Sequence, residues 1–98
     1  MEPLETEPDV YLSGQLVCRD NDDVAIVVQH LARHVALTRN EAGCVSFCVS
    51  PTDDPLVWQV DERFRDAAAF KTHQDRVASS EWGQATAGIE RRYTIEGL

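Results

Sequence analysis

Basic residues are scarce in this chain: nine Lys and Arg stand against 17 Asp and Glu, a formal charge of -8. Sequence-independent nucleic-acid affinity comes mainly from Lys and Arg neutralising phosphates, so this balance disfavours nucleic acid and, likewise, anionic membranes as partners. Long apolar runs are also missing. The longest, Val24 to Val28, falls far below the ~20 residues that span a bilayer. The three cysteines are odd in number and come with no apolar signal segment, which fits reduced thiols in a cytoplasmic protein better than a secreted disulfide framework. No glycine-rich phosphate loop, Ser-His-Asp pattern or paired-cysteine motif occurs, so flavin, nicotinamide and nucleotide sites have no sequence support. A length of 98 residues leaves room for one domain and one modest core.

What is present reads as an ordered series of elements. Residues 1–9 hold four acidic residues and two prolines with little apolar surface, which predicts a flexible acidic tail ahead of a domain over residues 10–96. Val10 to Cys18 alternates as a strand, with Val10, Leu12, Leu16 and Cys18 on one face and a bulge expected at Gly14. Asn21-Asp22-Asp23 offers an N-cap to a long helix whose stripe is read as Val24, Val28, Leu31 and Val35, flanked by Val27 and Ala32. Gly43 is the expected left-handed stop.

The next strand places Val45, Phe47 and Val49 on one face and Cys44, Ser46, Cys48 and Ser50 on the other. The two cysteines lie some ~13 Å apart, too far for a disulfide. After a turn through Pro51 to Pro55, Leu56, Trp58, Val60, Glu62 and Phe64 share a face of the third strand. Asp66 can cap a short helix carrying Phe70, His73 and Val77; Ser79 or Ser80 can begin another turn through Trp82; and Ile89 to Ile95 closes as a strand. The order is βαββαβ, an α+β ferredoxin-like antiparallel sheet with helices on one face. One helix layer covers only one sheet face, so a two-fold homodimer is expected to cover the other.

Among residues able to carry chemistry, His73 comes first, because an imidazole near neutrality is a ready base and its helix face is expected to line the cleft between helices and sheet. Glu62, on the inferred inward face, would be costly unless paired; Arg33, Arg39, Arg91 and Arg92 are possible partners, and orienting His73 is the alternative role. Trp58, Phe70, Trp82 and Tyr93 are candidate walls for a flat ring, as well as candidate core. His34 borders the apolar stripe, and His30 lies four residues before it. No carboxylate completes a recognised spacing around the two, so no metal site is expected.

The segment running from Leu37 through Glu41-Ala42-Gly43-Cys44, the strand Val45 to Ser50, the Asp54-Pro55 turn, and Glu62-Arg63-Phe64-Arg65-Asp66 to Phe70 and His73 resembles the antibiotic biosynthesis monooxygenase family. The resemblance spans residues 10–96. It implies a dimeric α+β barrel and oxidation of a quinol or polycyclic phenol by molecular oxygen without a cofactor, with His73 and Glu62 as catalytic residues and Trp58, Phe70, Trp82, Tyr93 and His34 contacting substrate. The stretch after His73 departs from many members, being longer, lacking a second His and carrying Trp82 where they have Phe. The Asn, Trp and His set of haem-degrading relatives is absent. Two alternatives stay open: a non-catalytic small-molecule-binding or regulatory dimer, and an isomerase of a small hydroxy-carbonyl compound.

Overall fold

The computed structural model describes residues 8–98, so most of the expected acidic tail, residues 1–7, lies outside the described residues. The elements are β1 (Val10–Val17), α1 (Asn21–Arg39), β2 (Cys44–Pro51), β3 (Val57–Phe64), α2 (Ala67–Ala78), α3 (Glu81–Ala85) and β4 (Glu90–Glu96). The four strands form one antiparallel sheet in the order β2-β3-β1-β4, the split βαβ arrangement expected from the order of elements. Val10, Leu12, Leu16, Val60, Phe64 and Phe70 are among the residues of the core between this sheet and the helices.

Local chemistry explains the helix starts. Asp20, one residue earlier than expected, caps α1 by accepting from the Asp23 N–H, while Asp66 and Ser80 accept from the Ala69 and Gly83 N–H groups at the starts of α2 and α3. Asp23 accepts from the Arg19 backbone and guanidinium, which hold its carboxyl down at about 2.

Three details of register differ from the sequence reading. The buried positions of α1 are Asp23, Val27, His34 and Thr38, whereas Val28 is 62% exposed, so the helix is rotated toward a more polar stripe. In β2 the ladder slips between Cys44 and Ser46; Cys44 packs on the core, Val45 stands 52% exposed, and Cys48 lies exposed on the opposite face from Cys44. The bulge expected at Gly14 is therefore in β2. Gly14 itself pairs in register with Val60 and Tyr93, at φ +157, where a Cβ would overlap the Arg92 carbonyl oxygen. Gly43 is not in the left-handed region; α1 ends at Asn40, in the right-handed region. Its lack of a side chain serves a close approach instead, since a Cβ there would collide with the Ala69 Cβ of α2.

Candidate active site

That close approach brings the loop after α1 against α2. Glu41 reaches across and binds two α2 side chains: its Oε1 lies 2.8 Å from His73 Nδ1, and its Oε2 accepts from Arg76 Nε at 2.6 Å. Arg76 also donates to Thr38 Oγ1 at 3.0 Å, so the guanidinium ties the end of α1 to α2. His73 and Arg76 are three apart on a helix and share a side.

On its other edge His73 faces the sheet. Its Nε2 stands 3.6 Å from Glu62 Oε1, just outside hydrogen-bond range. That oxygen is buried and has no hydrogen-bond partner among the described residues. Burial first, and the Glu41 charge second, push the Glu62 carboxyl from 4.5 up to about 7. Burial also lowers His73, against the opposing pull of Glu41. The arginines expected as partners of Glu62 are engaged elsewhere: Arg39 with the Phe47 carbonyl, Arg91 with Thr86 and Ile89, Arg92 with Glu90, and Arg33 with Glu81.

Aromatic rings surround His73. The His73 ring lies 4.6 Å from Phe64 and 6.0 Å from Phe47, and 6.3 Å from His34, centre to centre. His34 in turn stacks on Trp82 at 4.5 Å with the rings 2° from parallel, and meets Phe47 edge-on. Burial, then the charges of His73, Arg76 and Arg91, hold His34 down at about 3, so its ring is neutral.

A cleft of about 350 Å³ opens between α1 and the α2–α3 junction, lined by His30, Arg33, His34 and Leu37 on one side and Arg76, Ser79, Ser80, Glu81 and Trp82 on the other. Its volume falls in the range of small-ligand sites. Of the residues expected at a site, His34 and Trp82 line this cleft. His73, 2% exposed, lies behind them with Glu62 and does not line it. Phe70 is core, edge-on to Phe64. Trp58 lines a separate groove on another flank of α1 with Val28, Leu31 and Val35. Tyr93 is half-buried on β4, its hydroxyl pushed up to about 12 by burial.

The sequence of the antibiotic biosynthesis monooxygenase family matches residues 19–85, about two thirds of the chain. The chain belongs to that family. Similar solved structures include a protein of Nitrosomonas europaea provisionally described as an antibiotic biosynthesis monooxygenase, with TM-score 0.76 and 15% identity over 99% of this chain and 95% of that one. PA3566 from Pseudomonas aeruginosa gives TM-score 0.69 and 22% identity over 99% and 96%, and Rv0793 from Mycobacterium tuberculosis gives 0.72 and 18% over 93% and 95%. These likenesses are in fold. No match is found among curated proteins.

Two charged members of the site in this antibiotic biosynthesis monooxygenase family member were not singled out from sequence. Glu41 enters the sequence reading only within the segment that ends α1, and Arg76 only within the stretch that follows His73. The i, i+3 spacing of His73 and Arg76 was the available signal, because two such groups on one inward helix face call for a facing carboxylate. Among the described residues, no group of three or more His, Cys, Asp and Glu is arranged to hold a metal ion.

Proposed function

We propose that the protein is a cofactor-independent monooxygenase of a quinol or polycyclic phenol, with His73 and Glu62 acting together as the base. The observation that carries this reading is an imidazole 3.6 Å from a buried, unpartnered carboxyl oxygen whose group is pushed up to about 7, set behind a cleft walled by Trp82 and His34. A general base works best when its pKa lies near the working pH. The couple becomes basic once Glu62 has lost its proton; a substrate that reaches past His34 and Trp82 to His73 then gives up one proton, which is held between the two groups. Trp82 and His34 supply the wall against which the ring lies, and the cleft shields the anion from water.

The redox step belongs to the substrate. Its anion passes one electron to oxygen, the radical and superoxide combine to a peroxide anion, the proton held by the couple returns to it to give the hydroperoxide, and loss of water leaves a new quinone carbonyl. One oxygen atom enters the product and the other leaves as water. We further propose that two copies pair through the helix-free sheet face, where Tyr11 is exposed under the Arg63 guanidinium, and that the protein works in the cytoplasm. No helix among the described residues is long and apolar enough to cross a membrane.

Oxygen uptake with a panel of naphthoquinols and hydroxyanthrones, corrected for autoxidation, tests the reaction. Saturable, protein-dependent uptake is expected, falling about 10²-fold or more in His73→Ala. One observation favours a second reading, a binding module without turnover: His73 does not reach the cleft surface. Tight ring binding with no uptake across the panel would select it.

A further inference from the structure

The couple needs His73 in one particular protonation form. A neutral imidazole carries its proton on either nitrogen, and only the form protonated on Nδ1 turns a lone pair toward Glu62. Glu41 stands where it decides between them. Its Oε1 is 2.8 Å from Nδ1, within charge-assisted hydrogen-bond range, and it cannot donate as a carboxylate, so the Nδ1 proton must be on the histidine. The carboxylate is itself held by Arg76, whose other arm is anchored on Thr38.

We propose that Glu41, clamped by Arg76, is the positioning residue of this site: it locks His73 in the Nδ1–H form and aims Nε2 at Glu62. The proposal rests on the reading of His73 and Glu62 as the base. Glu41 touches no substrate in this scheme and acts only through His73. The clamp also depends on Gly43, because any side chain there would push the loop off Ala69 and draw Glu41 away from α2.

Among the described residues, no other group around His73 does the same. His34 of α1 is neutral and meets it ring to ring. Cys44 of β2 lies near Glu41 and Glu62, its thiol pushed up by burial and then by those charges. Arg91 and Tyr93 of β4 lie on the Glu62 side, and Arg76 is bound to Glu41. Among the described residues, Glu41 is the group that accepts from Nδ1.

Long-range 1H–15N correlation spectra of the histidine rings test this without any turnover. In the wild-type protein at pH 7 the His73 signal is expected to show a pyrrole-type Nδ1 and a pyridine-type Nε2. In Glu41→Ala the pattern should become a mixture or invert. Glu41→Gln should invert it, since the single amide oxygen stays with the Arg76 guanidinium and the NH2 group then donates to Nδ1. With an oxidisable quinol, Glu41→Ala should lower kcat at least about 10-fold and leave KM within about 2-fold, as loss of a carboxylate orienting a histidine does elsewhere. A wild-type ring protonated on Nε2, or a folded Glu41→Ala that keeps the wild-type pattern, would overturn the proposal. The wild-type spectrum decides even if both variants fail to fold. Failure of every quinol to react would count against the oxygenase reading while the ring spectra still judge Glu41.

Discussion

Replacing Glu62 by Gln should make the protein more stable and less active, and the size of the first effect follows from the carboxyl's surroundings. Burial raises the folded carboxyl from 4.5 to about 7, so the fold prefers its neutral form. The stability tied to that preference is complete below about 4.5 and is lost as pH rises through about 7. A shift of that size corresponds to about 3 kcal/mol between the two limits. Gln has the shape of the protonated carboxyl and never ionises. Relative to wild type, Glu62→Gln should therefore be near neutral in stability at pH 4.5 and more stable by about 3 kcal/mol at pH 8. His34 and His73 also make stability pH-dependent, but they are present in both proteins and largely cancel in the difference. Urea denaturation of both at fixed concentration and several pH values measures it. A difference that does not grow between pH 5 and 8 would refute the claim that the buried carboxyl ionises at a cost. The same substitution removes the ionised form of the couple, so turnover, which in wild type should rise with pH through about 7, should drop and lose that rise.

Other outcomes follow from the same contacts. Trp82→Ala removes the ring stacked on His34 at the cleft and should raise KM for ring substrates several-fold with kcat less affected; an unchanged KM in steady-state assays would place the ring elsewhere. His34, ordinarily near 6.5, is held at about 3, so its contribution is present above about 6.5 and lost as pH falls toward 3, by up to roughly 5 kcal/mol. His34→Phe should accordingly shift acid unfolding, followed by circular dichroism, to lower pH than wild type. Gly14→Ala should lower the melting temperature by several degrees, as its Cβ would overlap the Arg92 carbonyl; an unchanged melting temperature would show that β4 moves away freely.

The order of elements was legible because its signals are local: alternation in β1 and β3, caps at Asp66 and Ser80, and the turn after Pro51. The inward face of β3, with Val60, Glu62 and Phe64, followed from the same alternation and is buried as read. The face of α1 was not legible. Valines occur around much of that helix, while its buried stripe includes Asp23, His34 and Thr38, each partnered or stacked in ways hydropathy does not register. In β2 a single slip of register turned Cys44 inward and Val45 outward, and nothing in an alternating sequence marks where a bulge falls. Candidate site residues separated for a related reason. Those brought together, His34, Glu62, His73 and Trp82, come from four different elements, whereas Trp58 lines another flank although it is on the same strand as Glu62. Glu41 joined the site through a tertiary approach permitted by Gly43; the spacing of His73 and Arg76 calls for a facing carboxylate but does not say which one.

The central claim, that His73 with Glu62 removes the substrate's proton, is tested most directly without oxygen. A hydroxyanthrone mixed anaerobically with saturating protein at pH 8 should show the absorption band of its anion in the wild type and the spectrum of the neutral phenol in His73→Ala, although both bind it. An anion band of equal strength in the two proteins, or a bound substrate that stays neutral in the wild type, would contradict the account.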